Sequence, residues 1–244
     1  NFKEDSIPEL EISNDVFYKR METEGIPISS QPATGEILEI FEESLKKGDD
    51  IIAVFLSSQM SGTYQSGLLV KDMLLEKYPQ AKITIIDSKS NSMQLGYSVI
   101  EGAKAILEQK SYAEVVSKVE AVNASSRFVF VPNNLDYLRK GGRIGMAKAL
   151  LGNALHLTPI LTVNDGQADT IQTVRTKKRA KKIMLDILKK DHEQAEVQEV
   201  AIHHINNIEE AQTYKAEVEA IVNCPVIIAD IGPVIGVHVG PGAL

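Results

Sequence analysis

Hydroxyl side chains are concentrated in residues 57–64, where three serines and a threonine follow an apolar run. The apolar run, 51–56, is typical of a buried strand, and the amphipathic segment 68–74 predicts that a helix follows the hydroxyls. A helix N-terminus carries unpaired N–H groups and the positive end of the helix dipole, and Gly62 would let a ligand approach the backbone. The stretch therefore predicts a site for the negative head of a small molecule, with ordinary Ser/Thr capping of a helix as the alternative.

Two further Ser-rich turns precede predicted helices. Residues 28–34 lead into a predicted helix at 35–47. Residues 90–96 follow a predicted strand at 82–86 and precede a predicted helix at 97–108. Ligands of parallel α/β sheets lie at the carboxyl ends of the strands. We therefore expect the Ser-rich turns to converge on one edge of a sheet.

The order of elements predicts an α/β protein of two domains. Residues 1–124 alternate strand, turn and helix, which is typical of a three-layer α/β/α domain with a parallel sheet. Residues 125–244 have a different rhythm, with a hairpin signal at Asn164-Asp165-Gly166 between strands. A hairpin within α/β alternation predicts a two-layer domain with a mixed sheet of about six strands. Among its predicted elements are a helix at 146–155 and strands at 127–131, 199–205 and 225–230, and the chain closes on a Gly-rich segment.

Composition excludes several classes of protein. The 244 residues carry a net charge of −7 and have a pI near 5.3, which argues against nucleic acid and against more than transient contact with an anionic membrane. The lone cysteine, Cys224, is typical of a reducing cytoplasm. Adjacent histidines at 203 and 204 on a predicted strand would point to opposite faces, so we expect no metal site there.

Four motifs in this order carry a resemblance to a known family. They are Ser30-Gln31-Pro32, Ser61-Gly62-Thr63-Tyr64, Lys140-Gly141-Gly142-Arg143, and the ending IGPVIGVHVGPGAL at 231–244. Their joint spacing resembles the DegV family, the fatty-acid-binding proteins of bacteria, over about the whole chain. The family pattern begins with a further strand that ends in an Asp-Ser-Thr-like turn. We expect about thirty residues of that pattern to be absent from this chain.

The resemblance implies a non-catalytic lipid-binding protein of the cytoplasm. Family members bind one long-chain fatty acid between two α/β domains and need no cofactor. In one branch they present the fatty carboxylate to a separate dihydroxyacetone-kinase-like subunit, a fatty acid kinase, which makes an acyl phosphate. The binding protein then carries the acyl phosphate to an acyl phosphate acyltransferase of phospholipid synthesis.

The resemblance also implies which residues contact the head group. Ser29, Ser61 and His238 match the family's head-group positions, although position 29 is often threonine. The same motifs contain further candidates, namely Ser30, Gly62, Thr63, Ser92 and Arg143. By sequence alone, His238 could equally cap a turn in a Gly-rich loop, and Arg143 could be a surface residue at a helix start.

Simple energetics favour a neutral head-group site. Burying each methylene gives roughly 0.8 kcal/mol, so a sixteen-carbon tail supplies on the order of 10 kcal/mol before the entropy of binding is subtracted. One neutral hydrogen bond gives only about 1 kcal/mol. The tail should therefore set the affinity, and the hydroxyl groups should set the orientation of the ligand.

A basic run at 175–182 stands out in this acidic chain. A solvated helix face is the ordinary explanation, but cations at a helix start oppose the helix dipole. We expect Arg175 and Arg179 to dock an acidic patch on the kinase subunit. Nucleic-acid binding is the alternative use of the run, and no aromatic residues interleave it to support that use.

Two other functions compete with lipid binding at the level of the sequence, one an enzyme and one a nucleotide-binding module. A serine acyl hydrolase could use Ser61 with His238, although the chain has no Gly-x-Ser-x-Gly elbow. An ATP- or dinucleotide-binding module is disfavoured because neither the P-loop nor the Gly-x-Gly-x-x-Gly pattern occurs.

Overall fold

The computed structural model describes residues 2, 5–151 and 157–244. Its helices are α1 (Asn14–Glu24), α2 (Thr34–Lys46), α3 (Thr63–Lys77), α4 (Ser92–Leu107), α5 (Tyr112–Ser125), α6 (Asp136–Lys140), α7 (Lys177–Gln194), α8 (Ile208–Glu219) and α9 (Pro233–Val239). Its strands are β1 (Ile51–Phe55), β2 (Ile83–Asp87), β3 (Val129–Phe130), β4 (Thr158–Asn164), β5 (Gln167–Val174), β6 (Val200–His204) and β7 (Val226–Asp230). Short 3₁₀ helices lie at Glu9–Glu11 and Gly145–Leu150.

The chain divides into two compact units. The serine-turn unit comprises 30–128 and 163–167, and the histidine unit comprises the described residues of 1–29, 129–162 and 168–244. The predicted boundary near residue 124 lies close to the division after Phe128. The observed division differs from that prediction in two places, because the residues up to Ser29 belong to the histidine unit and the hairpin tip at 163–167 belongs to the serine-turn unit.

The serine-turn unit is built on the parallel pair β1–β2, in which Ile51 lies opposite Ile83 and Phe55 lies opposite Asp87. Alternate residues of a strand face opposite sides. One face packs against α2 and α3 through a cluster that includes Phe41, Val70 and Leu74. Val70 and Leu74 are fully buried because they lie one helical turn apart on the inner face of α3.

The opposite face of β1–β2 is covered by α4 and α5. The Tyr112 hydroxyl, at the start of α5, donates to the Ile51 carbonyl at 2.9 Å and lies 2.8 Å from Thr84 Oγ1. Gly102 of α4 leaves room for Val119 of α5, because a Cβ at Gly102 would lie 2.7 Å from Val119 Cγ2. The predicted three-layer α/β/α arrangement is confirmed for this unit.

The histidine unit contains an antiparallel sheet in the order β3–β4–β5 and a parallel pair β6–β7. The C-terminal residues join them, because Leu244 exchanges backbone hydrogen bonds with Val131 beyond β3, and Gly242 and Ala243 bond to Ile205 beyond β6. Six described segments are thus linked by backbone hydrogen bonds in one mixed arrangement. The α/β class and the mixed sheet predicted from sequence are confirmed.

The predicted hairpin between β4 and β5 has the expected turn. Asp165 has φ 45° and Gly166 has φ 82°, so both central residues are left-handed, as a type I′ turn requires. The Ser57 hydroxyl donates to the Gly166 carbonyl at 2.7 Å.

The Gly-rich ending, to which the sequence assigns no element, contains α9. Pro233 is its first helical residue, where the N–H that proline lacks would have no partner within the helix.

Two local predictions are wrong. The turn predicted at 90–96 is mostly helix, because α4 already begins at Ser92. The helix predicted at 146–155 is a 3₁₀ helix over Gly145–Leu150, and its last residues lie outside the described part of the chain.

Within the described ranges, no helix has the length and apolar content needed to cross a membrane.

Candidate functional site

Ser29 and His238 form a hydrogen-bonded pair in the histidine unit. Ser29 Oγ lies 2.8 Å from His238 Nε2, although 209 positions separate the two residues in the sequence. Ser29 follows the segment that contains α1, and His238 lies in the last turn of α9. The pair is therefore positioned by the packing of α1 against α9.

Tyr18 of α1 packs directly against α9. Its side chain is 1% exposed, and its hydroxyl donates to the Ile231 carbonyl at 3.1 Å. A Cβ at Gly236 would lie 1.9 Å from Tyr18 Oη, so only glycine allows this approach.

Glu9 accepts the Val234 N–H at 3.0 Å, which places a negative charge at the positive end of α9. Burial and the carboxylates of Asp230 and Glu9 raise the pKa of Tyr18, so it remains a hydroxyl donor.

The second ring nitrogen of His238 defines the chemistry of the pair. Nδ1 is buried and has no hydrogen-bond partner among the residues that the structure describes. A buried N–H without an acceptor costs about 1–3 kcal/mol, so the neutral ring should carry its proton on Nε2. Nε2–H then donates to Ser29 Oγ, and the Ser29 hydroxyl hydrogen is left to donate to a ligand.

His238 is neutral at physiological pH. Burial, together with the positive charge of Arg143, lowers its pKa to about 4. The Arg143 side chain is exposed and its Nη1 donates to the Gly141 carbonyl at 2.7 Å. The guanidinium group of Arg143 therefore contributes positive potential at this pair, while the ring itself supplies a neutral donor.

The lowered pKa of His238 predicts a specific loss of stability in mild acid. An unfolded histidine takes up a proton below about pH 6.5, whereas folded His238 does so only near pH 4. The unfolded state therefore binds more protons between these values, and the free energy of unfolding should decrease as the pH falls through this window. His203, whose pKa burial and His204 lower to about 4, contributes in the same direction.

Urea denaturation at pH 7, 6 and 5 measures this effect. We expect the free energy of unfolding of His238→Gln to change less between these values than that of the wild type, because glutamine does not titrate. Equal pH dependence in the two proteins would contradict the assignment of a neutral, buried ring.

Ser57 and Ser58, the first two serines of the turn between β1 and α3, have structural roles. Ser57 is fully buried, accepts the Gln59 N–H at 3.1 Å and donates to the hairpin tip. The Asp87 carboxylate, at the end of β2, accepts the backbone N–H groups of Ser58 and Lys89. These groups fix the turn between β1 and α3.

The hydroxyls expected to contact a ligand lie at the start of α3. Ser61 Oγ and Thr63 Oγ1 are 2.8 Å apart, and Ser61 Oγ also accepts the Thr63 N–H at 3.3 Å. Two hydroxyls that share one hydrogen bond keep one hydrogen free to donate elsewhere. Gln31 closes the other side of this turn, because a Cβ at Gly62 would lie close to its amide oxygen, and its amide donates to Ser66 Oγ at 3.1 Å.

The other two candidates of the serine-turn unit differ from each other. Ser92 has φ 49°, and its buried hydroxyl has no partner among the described residues. The neighbouring Asn91 is 8% exposed, and its Oδ1 is likewise without a described partner. Ser30 is exposed. Of these two serines, Ser92 has the environment expected for a group that binds a ligand.

The basic run at 175–182 lies at the start of α7. Thr176 caps the helix by accepting the Arg179 N–H at 3.1 Å. Lys177 and Lys181 both pair with Glu210 of α8, at 2.6 Å and 2.9 Å, so a single carboxylate balances one of their two positive charges. Arg175 and Arg179 are exposed. The helix start therefore presents positive charge to solvent beyond what the fold uses.

Sequence reasoning missed three residues that shape the site. Tyr18 and Gly236 hold α9 in place, and Gly141 makes room for the His238 ring. A glycine two positions before a candidate histidine was the available signal for Gly236. No sequence pattern predicts the role of Tyr18, because its hydrogen bond joins residues more than two hundred positions apart.

Within the described chain, no group of three or more His, Cys, Asp or Glu side chains could hold a metal ion.

Comparison with known proteins agrees with the motifs. A family model described as "Uncharacterised protein, DegV family" matches residues 1–244. A DegV domain-containing protein of Clostridium acetobutylicum is 46% identical over 244 residues, covering 100% of this chain and 86% of that protein. Another, from Clostridium perfringens, is 41% identical over 237 residues, with 97% and 84% of the two chains covered.

Solved structures give the same result. DegV of Bacillus subtilis, described as a fatty acid binding protein, superimposes with a TM-score of 0.88 at 27% identity, covering 100% of this chain and 86% of that one. A stearic acid-binding protein of Eubacterium ventriosum gives a TM-score of 0.86 at 27% identity, with 96% and 82% covered. The chain belongs to the DegV family.

Proposed function

We propose that this protein binds a long-chain fatty acid and that the Ser29–His238 pair binds the fatty carboxylate. The observation that carries the proposal is the 2.8 Å hydrogen bond between Ser29 Oγ and His238 Nε2, beside a buried Nδ1 without a described partner. With the ring proton on Nε2, the Ser29 hydroxyl is a donor, and a carboxylate is an acceptor. The solved fatty-acid-binding relatives support the choice of ligand.

The remaining head-group candidates extend this proposal. We propose that Ser61, Thr63 and Ser92 donate further hydrogen bonds to the ligand and that the charge of Arg143 attracts the carboxylate. The free hydrogen of the Ser61–Thr63 pair and the partnerless Ser92 hydroxyl support these roles. Gly62 and Ser30 belong to the same motifs and are proposed to lie next to the ligand.

Hydrolysis is the second candidate function of the Ser29–His238 pair, because a serine beside a histidine is the arrangement of an activated nucleophile. A general base needs a lone pair on Nε2 and therefore a proton on Nδ1, which triads hold with an acceptor. Here Nδ1 has no acceptor among the described residues. In addition, the Ser61 hydroxyl, the alternative nucleophile, is bonded to Thr63. These contacts favour binding over hydrolysis, and so we propose a non-catalytic role.

Native mass spectrometry of the protein as purified tests the proposal. We expect a co-purifying species with the mass of a fatty acid, and we expect added palmitate to bind with one molecule per chain. An esterase assay with Ser29→Ala and Ser61→Ala as controls tests the hydrolase. Serine-dependent turnover, or failure to bind palmitate, would contradict the proposed function.

We further propose that the bound fatty acid is presented to a separate fatty acid kinase subunit, and that the protein carries the resulting acyl phosphate to an acyltransferase in the cytoplasm. The exposed Arg175 and Arg179 support a docking role, since Glu210 pairs with Lys177 and Lys181. An acidic surface on the kinase would complement them.

Charge reversal at α7 should separate docking from lipid binding. We expect Arg175→Glu with Arg179→Glu to reduce kinase-dependent acyl phosphate formation at least about tenfold, since like charges would then face each other, while palmitate affinity stays unchanged. Lys190→Glu, at the far end of the same helix, is the matched control. A loss of palmitate affinity, or an equal effect of the control, would contradict the docking role.

A further inference from the structure

Gly141 lies directly against the His238 ring. A Cβ built on Gly141 would be 2.2 Å from His238 Nδ1 and 3.1 Å from Cε1. The backbone of Gly141 has φ −76° and ψ −7°, which any L-amino acid adopts. Glycine is therefore not needed at this position for its conformational freedom. The one requirement that the described surroundings impose is space for the imidazole ring and for the Tyr137 carbonyl, which would lie 3.1 Å from the added Cβ.

The turn that contains Gly141 is firmly held. The Gly141 N–H donates to the Tyr137 carbonyl at 2.8 Å, and the Arg143 N–H donates to the Leu138 carbonyl at 3.0 Å. Leu138 is 3% exposed, so the helix before the turn is anchored in the core. The turn cannot easily retreat from an added side chain, because two backbone hydrogen bonds would have to break.

The helix that carries His238 is equally constrained. A Cβ at Gly240 would lie 2.3 Å from the Tyr137 ring, so α9 and α6 approach each other closely at a second place. Tyr18 packs against α9 at Gly236, one turn earlier in the helix. The ring is thus the movable part when the space at residue 141 is filled.

We propose that Gly141 is a positioning residue, whose missing side chain sets the His238 ring so that Nε2 faces Ser29 and the buried Nδ1 meets no acceptor among the described residues. With the ring seated over the bare Cα of Gly141, Nδ1 meets no described hydrogen-bond acceptor, and the neutral ring therefore keeps its proton on Nε2. Gly141 thereby makes Ser29 a hydrogen-bond donor. The part of this inference that concerns the ligand rests on the proposed function.

The test uses Gly141→Ala in the full chain. Ring ¹⁵N and Nε2–H signals of His238 are recorded by NMR without ligand, and palmitate affinity is measured separately. We expect the Nε2–H signal to shift or disappear and the affinity to fall about tenfold to a hundredfold, as the loss of one buried hydrogen bond predicts. The matched control is Gly35→Ala, at an exposed helical glycine where an added Cβ meets none of the described atoms within 4 Å.

A second variant tells whether Gly141 acts through the ring. In a His238→Ala background we expect Gly141→Ala to have no further effect on palmitate affinity. If Gly141→Ala alone does not fold, the double variant should fold, because the obstructing ring is gone. Wild-type His238 signals in Gly141→Ala, or equal effects of the substitution in the two backgrounds, would overturn the inference. A displaced ring in a protein that never binds palmitate would uphold the positioning role and refute the proposed function alone.

Discussion

Shortening the fatty acid from sixteen to ten carbons should reduce its affinity more than about a thousandfold. Each methylene that leaves water contributes about 0.8 kcal/mol, so six of them contribute roughly 5 kcal/mol, and every 1.4 kcal/mol is a factor of about ten. Competition between palmitate, laurate and decanoate for the delipidated protein measures this series. The affinity should decrease by a nearly constant factor for each methylene removed.

A change of the head group is the control for this series. Replacing palmitate by the alcohol of the same length removes the hydrogen bonds to a charged acceptor, each of which gives about 1.5–3 kcal/mol, so one lost bond should cost about tenfold to a hundredfold. Ser29→Ala should reduce the affinity for palmitate but have little effect on the alcohol. Decanoate binding as tightly as palmitate would contradict the claim that the tail sets the affinity.

Gly236→Ala should destabilise the protein by about 3 kcal/mol. A Cβ at this position would lie 1.9 Å from Tyr18 Oη and 2.8 Å from Cζ. Tyr18 is almost fully buried, so it must move within a packed core, which costs about 1–3 kcal/mol, and its hydrogen bond to Ile231 is lost at about 1–3 kcal/mol more. Alanine's better helix propensity returns at most about 1 kcal/mol. Urea denaturation followed by circular dichroism measures the change.

Tyr18→Phe provides the comparison for this variant. It removes the hydroxyl oxygen that lies nearest to the added Cβ, so Gly236→Ala should cost less in that background than in the wild type. Gly35→Ala, in the first turn of α2, should change stability by a small amount only. Unchanged stability of Gly236→Ala would contradict the close packing of α1 against α9.

The layers of the fold follow from local patterns in the sequence. The strand predicted at 51–56 forms β1 and ends one residue earlier, at Phe55, because the Ser57 carbonyl accepts the N–H groups of Met60 and Ser61 in a turn. The hairpin turn at Asp165-Gly166 is also predictable from the sequence, since few residue pairs adopt the two successive left-handed conformations of a type I′ turn. These predictions succeeded because neighbouring residues determine each feature.

The position of His238 in a helix could not be predicted from local sequence patterns. Gly236 disfavours a helix, yet α9 forms because Tyr18 packs where that side chain is missing. Gly232 and Gly240 lie at the two caps of α9, where glycine does not oppose a helix. The start of α4 at Ser92 was missed for a related reason, since a positive φ at a serine goes against its intrinsic preference. A contact between distant parts of the chain, Tyr18 with Gly236, decides the position of α9.

The most direct test of the central claim is NMR of the protein labelled with ¹⁵N at histidine, titrated with palmitate that carries ¹³C at the carboxyl group. We predict that the His238 Nε2–H signal and the carboxyl signal shift together with one ligand per chain, and that the bound carboxyl signal changes in Ser29→Ala. Stoichiometric palmitate binding that leaves the His238 signals unchanged would contradict the account.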